Sequence, residues 1–364
     1  MAYTLEQKLG RLRNRRYDPS VFDTLPQMRE SYQKRSSNEA TLYALGSMQE
    51  VEPRSTEISL EEAQKVEDNL RSGLGSVSLY PDFKLQGSVA ANVHIRGVSD
   101  VDLLCVEGIY LKVAPCTNSL KTYSDYSGRG SIVDDILHLR NESIKVLNRR
   151  FWAATVDTSH DKSIALSDGA FRRKVDLVPS SWYDSELFQQ TLDETYRGID
   201  IANKSTRRLI RNYPFLYISR LNAVDGNTLG GAKMGIRLIK NLKNDSDIDI
   251  ELSSYDIGSL IYHCPPSYIS FYATNDLSIL AGVDRWFSEL AQNEVMAREL
   301  DTPDGTRKIL DTRDKWLAVG QMSIELKSLT QAIASEMGQA WKLHGYPHSM
   351  LLDQLRKFEI PRVA

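Results

Sequence analysis

The sequence predicts a mixed α+β fold in two lobes: a core built on a mixed sheet, followed by a helical lobe. Three observations carry this. Short β-like runs alternate with amphipathic helical stretches through residues 55–205, and the pattern is mostly helical over residues 206–364. The length, 364 residues, exceeds one small core and suits two or three packed lobes. The expected division is an N-terminal helical extension over 1–54, a core over 55–205 and a C-terminal helical lobe over 206–364 packed on it.

Composition excludes several classes. Apolar residues make up 41% and charged residues 26%, as in ordinary globular proteins. A net charge of −3 exerts no global pull on nucleic acid or membrane, so any polyanion site must be local. Cys105, Cys116 and Cys264 are scattered, with no CxxC, which suggests reduced thiols. "MAYTLEQKLG" carries charge where a signal peptide needs an apolar core, and no apolar run approaches the roughly 20 residues of a membrane span. A cytoplasmic monomer that does not touch membrane is expected.

In chain order, "RLRNRR" (Arg11 to Arg16) reads as a solvated helix face. "STEISLEEAQKVEDNLRSGL" predicts a helix starting at Ser59, ahead of Glu61 and Glu62, with Val66, Leu70 and Leu74 at helical spacing. "FKLQGS" reads as a short strand entering a turn, and "DVDLLCVEG" as a strand. "SIVDDILHLRNESIKVLNRRF" is the clearest amphipathic helix. Ser131 and Asp134 cap it, and Val133, Ile136, Leu137, Ile144, Leu147 and Phe151 line one face. "AATVDTS", "KSIALS" and "FRRKVDLVPS" are β-like. "ASEMGQAWKLHG" is a late amphipathic stretch; at its end and just beyond it, Gly345 and Pro347 keep His344 and His348 from forming a helical zinc pair.

The chemistry is concentrated in "LQGSVAANVHIRGVSDVDLL", residues 85–104. Asp100 and Asp102 are two apart in a strand, so their side chains share a face, while Val101 and Leu103 take the other. Two neighbouring carboxylates repel unless a cation sits between them, and hard oxygen donors suit Mg2+ or Mn2+. Gly87 lets backbone approach a ligand, and Ser88 offers an N–H and a hydroxyl to phosphate oxygens. An anion cradle ahead of a metal-binding acid pair suggests a metal-bound nucleoside triphosphate. Two-metal phosphoryl transfer calls for a third acid. Asp176 supplies it between Val175 and Leu177, with Asp184 or Asp157 as alternatives. Gln86 is either an edge-strand residue or a nucleotide contact, and His94 is read as a loop residue.

Gly-Ser, a spacer, Ser-Asp-Val-Asp and the distant Val-Asp-Leu together resemble the nucleotidyltransferase fold of the DNA polymerase β superfamily. "TLGGAKMGIRLIKNLKND" (228–245) and "SSYDIGSLIYHCP" (253–265) narrow this. They resemble the cyclic-oligonucleotide synthases related to cyclic GMP–AMP synthase and oligoadenylate synthase, and in particular the bacterial branch that acts in anti-phage defence. Read from the residues alone, Lys233, Arg237 and Lys240 form one cationic stripe beside an apolar stripe of Ala232, Ile236, Ile239 and Leu242. The resemblance implies a bilobed polymerase β-like fold. It also implies two Mg2+ ions (Mn2+ able to substitute) held by Asp100, Asp102 and Asp176, and a triphosphate contacted by Lys233 and Arg237.

The reaction implied joins nucleoside triphosphates, ATP among them, into a cyclic di- or trinucleotide. Tyr255 or Tyr262 would floor the acceptor pocket. Regulatory proteins of a defence operon are implied partners, and the C-terminal tail "KFEIPRVA" is a candidate for conjugation. Without a His/Cys zinc insertion or a basic balance, direct activation by double-stranded DNA is not expected. Two other readings stay open: a nucleotidyltransferase acting on an RNA 3′ end, a protein or a small-molecule hydroxyl, and a catalytically silent nucleotide-binding scaffold.

Overall fold

The computed structural model describes residues 4–16, 31–95, 97–124, 130–272, 275–338 and 347–360. Residues 361–364 of the tail, His344 and most of "GQAWKLHG" lie outside them. The elements in order are α1 (Leu5–Arg16), α2 (Glu39–Met48), α3 (Pro53–Gly75), β1 (Asp82–Gln86), α4 (Gly87–Ala90), β2 (Val101–Val113) and α5 (Ile132–Arg150). Next come β3 (Thr155–Asp157), β4 (Ile164–Ser167), β5 (Val175–Asp184), α6 (Glu186–Thr191), β6 (Gly198–Ala202), β7 (Leu209–Asn212) and α7 (Pro214–Asn227). The remainder is helical: α8 (Gly231–Asp245), α9 (Ser254–Tyr262), α10 (Pro266–Ile269), α11 (Leu277–Gln292), α12 (Glu294–Arg298), α13 (Arg313–Glu336) and α14 (His348–Leu355). The mixed sheet followed by helices is the fold class the sequence predicts. Two compact units emerge. Residues 52–91 and 99–219 form one, and residues 1–51, 92–98 and 220–364 form the other.

The first unit holds the seven described strands in one sheet. Its order is β1-β2-β5-β4-β3, with β6 on the C-terminal half of β5 and β7 beyond it. Only β2 and β5 run parallel; the other pairs are antiparallel. Strand alternation divides β2 between two cores. Val101, Leu103 and Cys105 join Val175 and Leu177 beneath α3 and α5, whose Val66, Leu70, Leu74, Leu139, Val146 and Leu147 are buried with them. Leu104 and Val106 face the other way, with Val178, Trp182, Ile199 and Ile201. Asp102 and Asp176 share that second face.

Two helices differ in detail from the expectation. α3 begins at Pro53, six residues before Ser59, because proline suits the first helical turn. Ser59 is buried inside the helix and returns its hydroxyl to the Ser55 carbonyl, 3.2 Å away. In α5 the Ser131 hydroxyl accepts the Asp134 N–H at 3.2 Å, as read from the sequence. Its buried side, however, centres on Leu139, Ser143, Val146 and Leu147. The predicted Val133, Ile136 and Leu137 pack instead on a separate small cluster with Ala202 and Leu209.

In the second unit α2 is buried nearly end to end, from Ala40 to Met48. α1 joins it through Leu9 and Leu12. Arg15, inside the basic cluster, is not a solvated charge. Its guanidinium grips the fully buried Asp245 carboxylate of α8, with Nη2 2.7 Å from Oδ2, and Tyr43 Oη donates to the same oxygen at 2.9 Å. The apolar stripe of α8 (Ala232, Ile236, Ile239, Leu242) is wholly buried, as its spacing requires.

Candidate active site

Pairing register assembles the acids. Asp102 on β2 lies opposite Asp176 on β5, and Gln86 on β1 lies opposite Asp102. On the other side, Asp176 pairs with Ala165 of β4, which pairs with Asp157 of β3. Cross-strand partners share a face, so Gln86, Asp102, Asp176, Ala165 and Asp157 form one row across five strands. Asp100 stands just before β2 on the same face as Asp102.

Gly87 closes the row at the β1–α4 turn. Its φ is +72°, a conformation that costs other residues about 1–2 kcal/mol, and a Cβ there would lie 2.0 Å from Asp102 Oδ2. The glycine is therefore required twice, by its backbone and by the carboxylate seated against it. Ser88 follows, half-buried in the first turn of α4.

A lysine that sequence reasoning passed over completes the electrostatics. Lys174 Nζ donates to Asp100 Oδ2 at 2.8 Å and lies 3.4 Å from Asp176 Oδ1. That Asp176 oxygen is shielded from solvent and has no hydrogen-bond partner, the lysine being an ion-pair contact only. Burial pushes the Asp176 carboxyl above its ordinary range and the Asp100 charge adds to this, while Lys174 opposes it. Burial also works against the Lys174 charge, but the hydrogen bond to Asp100 and the two carboxylate charges outweigh it, raising its pKa. Lys174 stands two residues before Asp176, so strand alternation was the signal that could have found it.

The donor set fits a hard divalent cation: all ligands are carboxylate oxygens, one is buried without a hydrogen bond, and a cation already sits between two of them. Among the described residues no three acids converge on a single point as they stand; the ammonium lies between Asp100 and Asp176. The alternative acids differ. Asp184 is fully buried and bound by Arg197 Nε at 2.7 Å, Lys121 Nζ at 2.9 Å and Tyr123 Oη at 2.8 Å, a closed structural cluster. Asp157 belongs to the row but is separated from Asp176 by β4.

The remaining candidates belong to the helical unit. Lys233 is loosely paired, 3.9 Å from Asp225 Oδ2. Arg237 is committed to backbone: Nε donates to the Met48 carbonyl at 2.8 Å and Nη1 to the Asn92 carbonyl at 3.0 Å. Lys240 Nζ donates to the Val93 carbonyl at 2.9 Å. Arg237 thus ties the Met48 and Asn92 carbonyls to α8, and its Nη1 lies 3.7 Å from Glu50 Oε1. Tyr255 is half-buried on α9, with the Arg307 guanidinium 5.5 Å from its ring centroid.

Residues 219–324 match the cGAS/DncV-like nucleotidyltransferase C-terminal helical domain. The cyclic dinucleotide synthase CdnE of Yersinia aleksiciae is 36% identical over 330 residues, 88% of this chain and 83% of that one. A c-di-GMP synthase of a Lachnospiraceae bacterium is 29% identical over 270 residues, 69% of this chain and 76% of that one. The solved STING-associated CdnE c-di-GMP synthase of Capnocytophaga granulosa matches with a TM-score of 0.73 at 27% identity, covering 92% of this chain and 100% of that one. A shared helical domain, similarity along most of both chains and a common fold lead to one conclusion: the chain belongs to the cGAS/DncV-like nucleotidyltransferase family and is a nucleotidyltransferase.

Proposed function

We propose that the enzyme joins two nucleoside triphosphates into a cyclic dinucleotide, with GTP as a substrate. The observation that carries the chemistry is the parallel pairing of Asp102 with Asp176, with Gly87 seated against the first carboxylate. The choice of guanine is supported by relatives named c-di-GMP synthases, and it is favoured over the ATP-containing product that the motif resemblance alone implies.

Asp100, Asp102 and Asp176 would hold two divalent ions, Mg2+ or Mn2+. When bound, such ions neutralise a triphosphate and lower the pKa of a nearby hydroxyl. Gly87 and Ser88 seat the triphosphate through backbone N–H groups and the serine hydroxyl, and Gln86 flanks it on β1. Asp176, whose Oδ1 is shielded from solvent, helps take the proton from a ribose 2′- or 3′-hydroxyl. That oxygen bonds to the α-phosphorus, the α–β bridging P–O bond breaks, and pyrophosphate leaves. The same step, repeated with the linear intermediate turned over, closes the ring. A second-messenger role in defence, with regulatory partner proteins, follows from the family resemblance.

The test is a product assay. Enzyme, Mg2+ and the four triphosphates are incubated with each α-phosphate labelled in turn, treated with phosphatase and resolved. A phosphatase-resistant product labelled from GTP is expected. Products that phosphatase degrades completely, or transfer only to RNA or protein, would overturn cyclisation.

A further inference from the structure

The site contains a positive charge that the proposed chemistry does not use. Of three consecutive basic residues ahead of β5, two are engaged elsewhere. Arg172 pairs with Glu61 and Glu62, at 2.6 and 3.0 Å. Arg173 donates to the Arg172 carbonyl at 2.9 Å and to Ser55 Oγ at 3.2 Å. Only Lys174 turns to the acids. Its carbonyl accepts the Val101 N–H at 3.0 Å, which sets it beside Asp100, and strand alternation places its side chain on the face of Asp176.

The distances make this position exclusive. An Mg2+ ion bound by Asp100 and Asp176 sits about 2.0–2.1 Å from each ligand oxygen. The Lys174 ammonium is 2.8 Å from one such oxygen and 3.4 Å from the other. Ion and ammonium need the same space, and two cations that close in a partly buried site repel strongly.

We propose that Lys174 is a built-in counter-ion, a positioning residue that holds Asp100 and Asp176 in the nucleotide-free protein and yields its place when a divalent cation loads. The inference rests on the reading of these acids as metal ligands. Side-chain exposures of 36% for Lys174 and 38% for Asp100, against 19% for Asp176, give the ammonium a path out toward solvent. Its flexible four-carbon stem allows the move. The exchange makes binding of the bare ion weak and ties metal loading to arrival of the triphosphate, which brings its own oxygen ligands.

The experiment is a nucleotide-free Mn2+ titration of the full chain, with free Mn2+ read by electron paramagnetic resonance. It compares wild type with Lys174→Met, Lys174→Arg and Asp102→Asn, with circular dichroism reporting the fold. Lys174→Met should bind Mn2+ about tenfold more tightly than wild type, the scale of one nearby charge removed. Lys174→Arg should stay close to wild type, and Asp102→Asn should lose binding. Lys174→Gln serves as a second neutral variant if the methionine protein does not fold. Neutral variants that bind no more tightly than wild type would overturn the proposal, provided Asp102→Asn has lost binding. So would an arginine variant that behaves like the neutral ones. Equal binding by Asp102→Asn and wild type would instead overturn the metal reading beneath it.

Discussion

Asp100, Asp102 and Asp176 each interrupt an apolar run, and a carboxylate in such a place is costly unless something compensates for it. That cost is what made the acids legible. Lys174 was not legible in the same way, because a lysine ahead of a strand is unremarkable until the register brings it to Asp100. His94, read as a loop residue, is in a loop but buried. Burial pushes its pKa down from 6.5 to about 4, with the Lys240 and Arg237 charges adding to the effect, so it is neutral in the fold. Between those values the unfolded chain binds more protons than the native state, and stability must fall as pH falls from about 6.5 to about 4. Unfolding free energies from urea titrations across this window should decline, by about 3 kcal/mol in total for this group. His94→Gln should flatten that part of the profile. A wild-type curve with the same slope as the glutamine variant would show that His94 charges freely in the folded protein.

At the level of elements, pattern reading located β1 to β5 and the helices α3, α5 and α8, missed β6 and β7, and interaction partners decided the rest. β5 was found from "KVDLVPS" alone, but which strand it joins depends on register, and register is what sets Asp176 against Asp102. The face of α5 was read as one stripe. The helix serves two clusters, so its apolar residues spread around more of its circumference. α1 shows the same limit. "RLRNRR" looks solvated by charge count, and only the buried Asp245 on α8 reveals why Arg15 is there. Removing one partner of a buried pair leaves an uncompensated charge. Arg15→Met should therefore lower stability by about 3 kcal/mol in urea denaturation, and adding Asp245→Asn should recover part of the loss. Additive losses in the double variant would mean that the two side chains do not interact energetically.

For the whole molecule, the sequence places boundaries at 54/55 and 205/206, whereas the compact units meet at 51/52 and 219/220 and assign residues 92–98 to the helical unit. β7, "LIRN", is too short and too polar to announce itself as a strand, which pulled the sequence-based boundary forward. The 92–98 segment is claimed by Arg237 and Lys240 through carbonyl hydrogen bonds that no periodicity encodes. What the motifs did convey was the family, because a glycine at a turn and acids inside apolar strands are exceptions of charge and space that pattern reading can detect.

The central claim is that the acid row across β2 and β5 carries nucleotidyl transfer. The direct measurement is the rate of labelled-GTP incorporation into phosphatase-resistant product by wild type, Asp102→Asn and Asp176→Asn, with folds verified by circular dichroism. Both variants should keep the fold and lose at least about a thousandfold in rate, the scale of losing several kcal/mol of transition-state stabilisation. A correctly folded variant at either position that keeps more than about a tenth of the wild-type rate, a barrier change of under about 1.4 kcal/mol, would contradict the account.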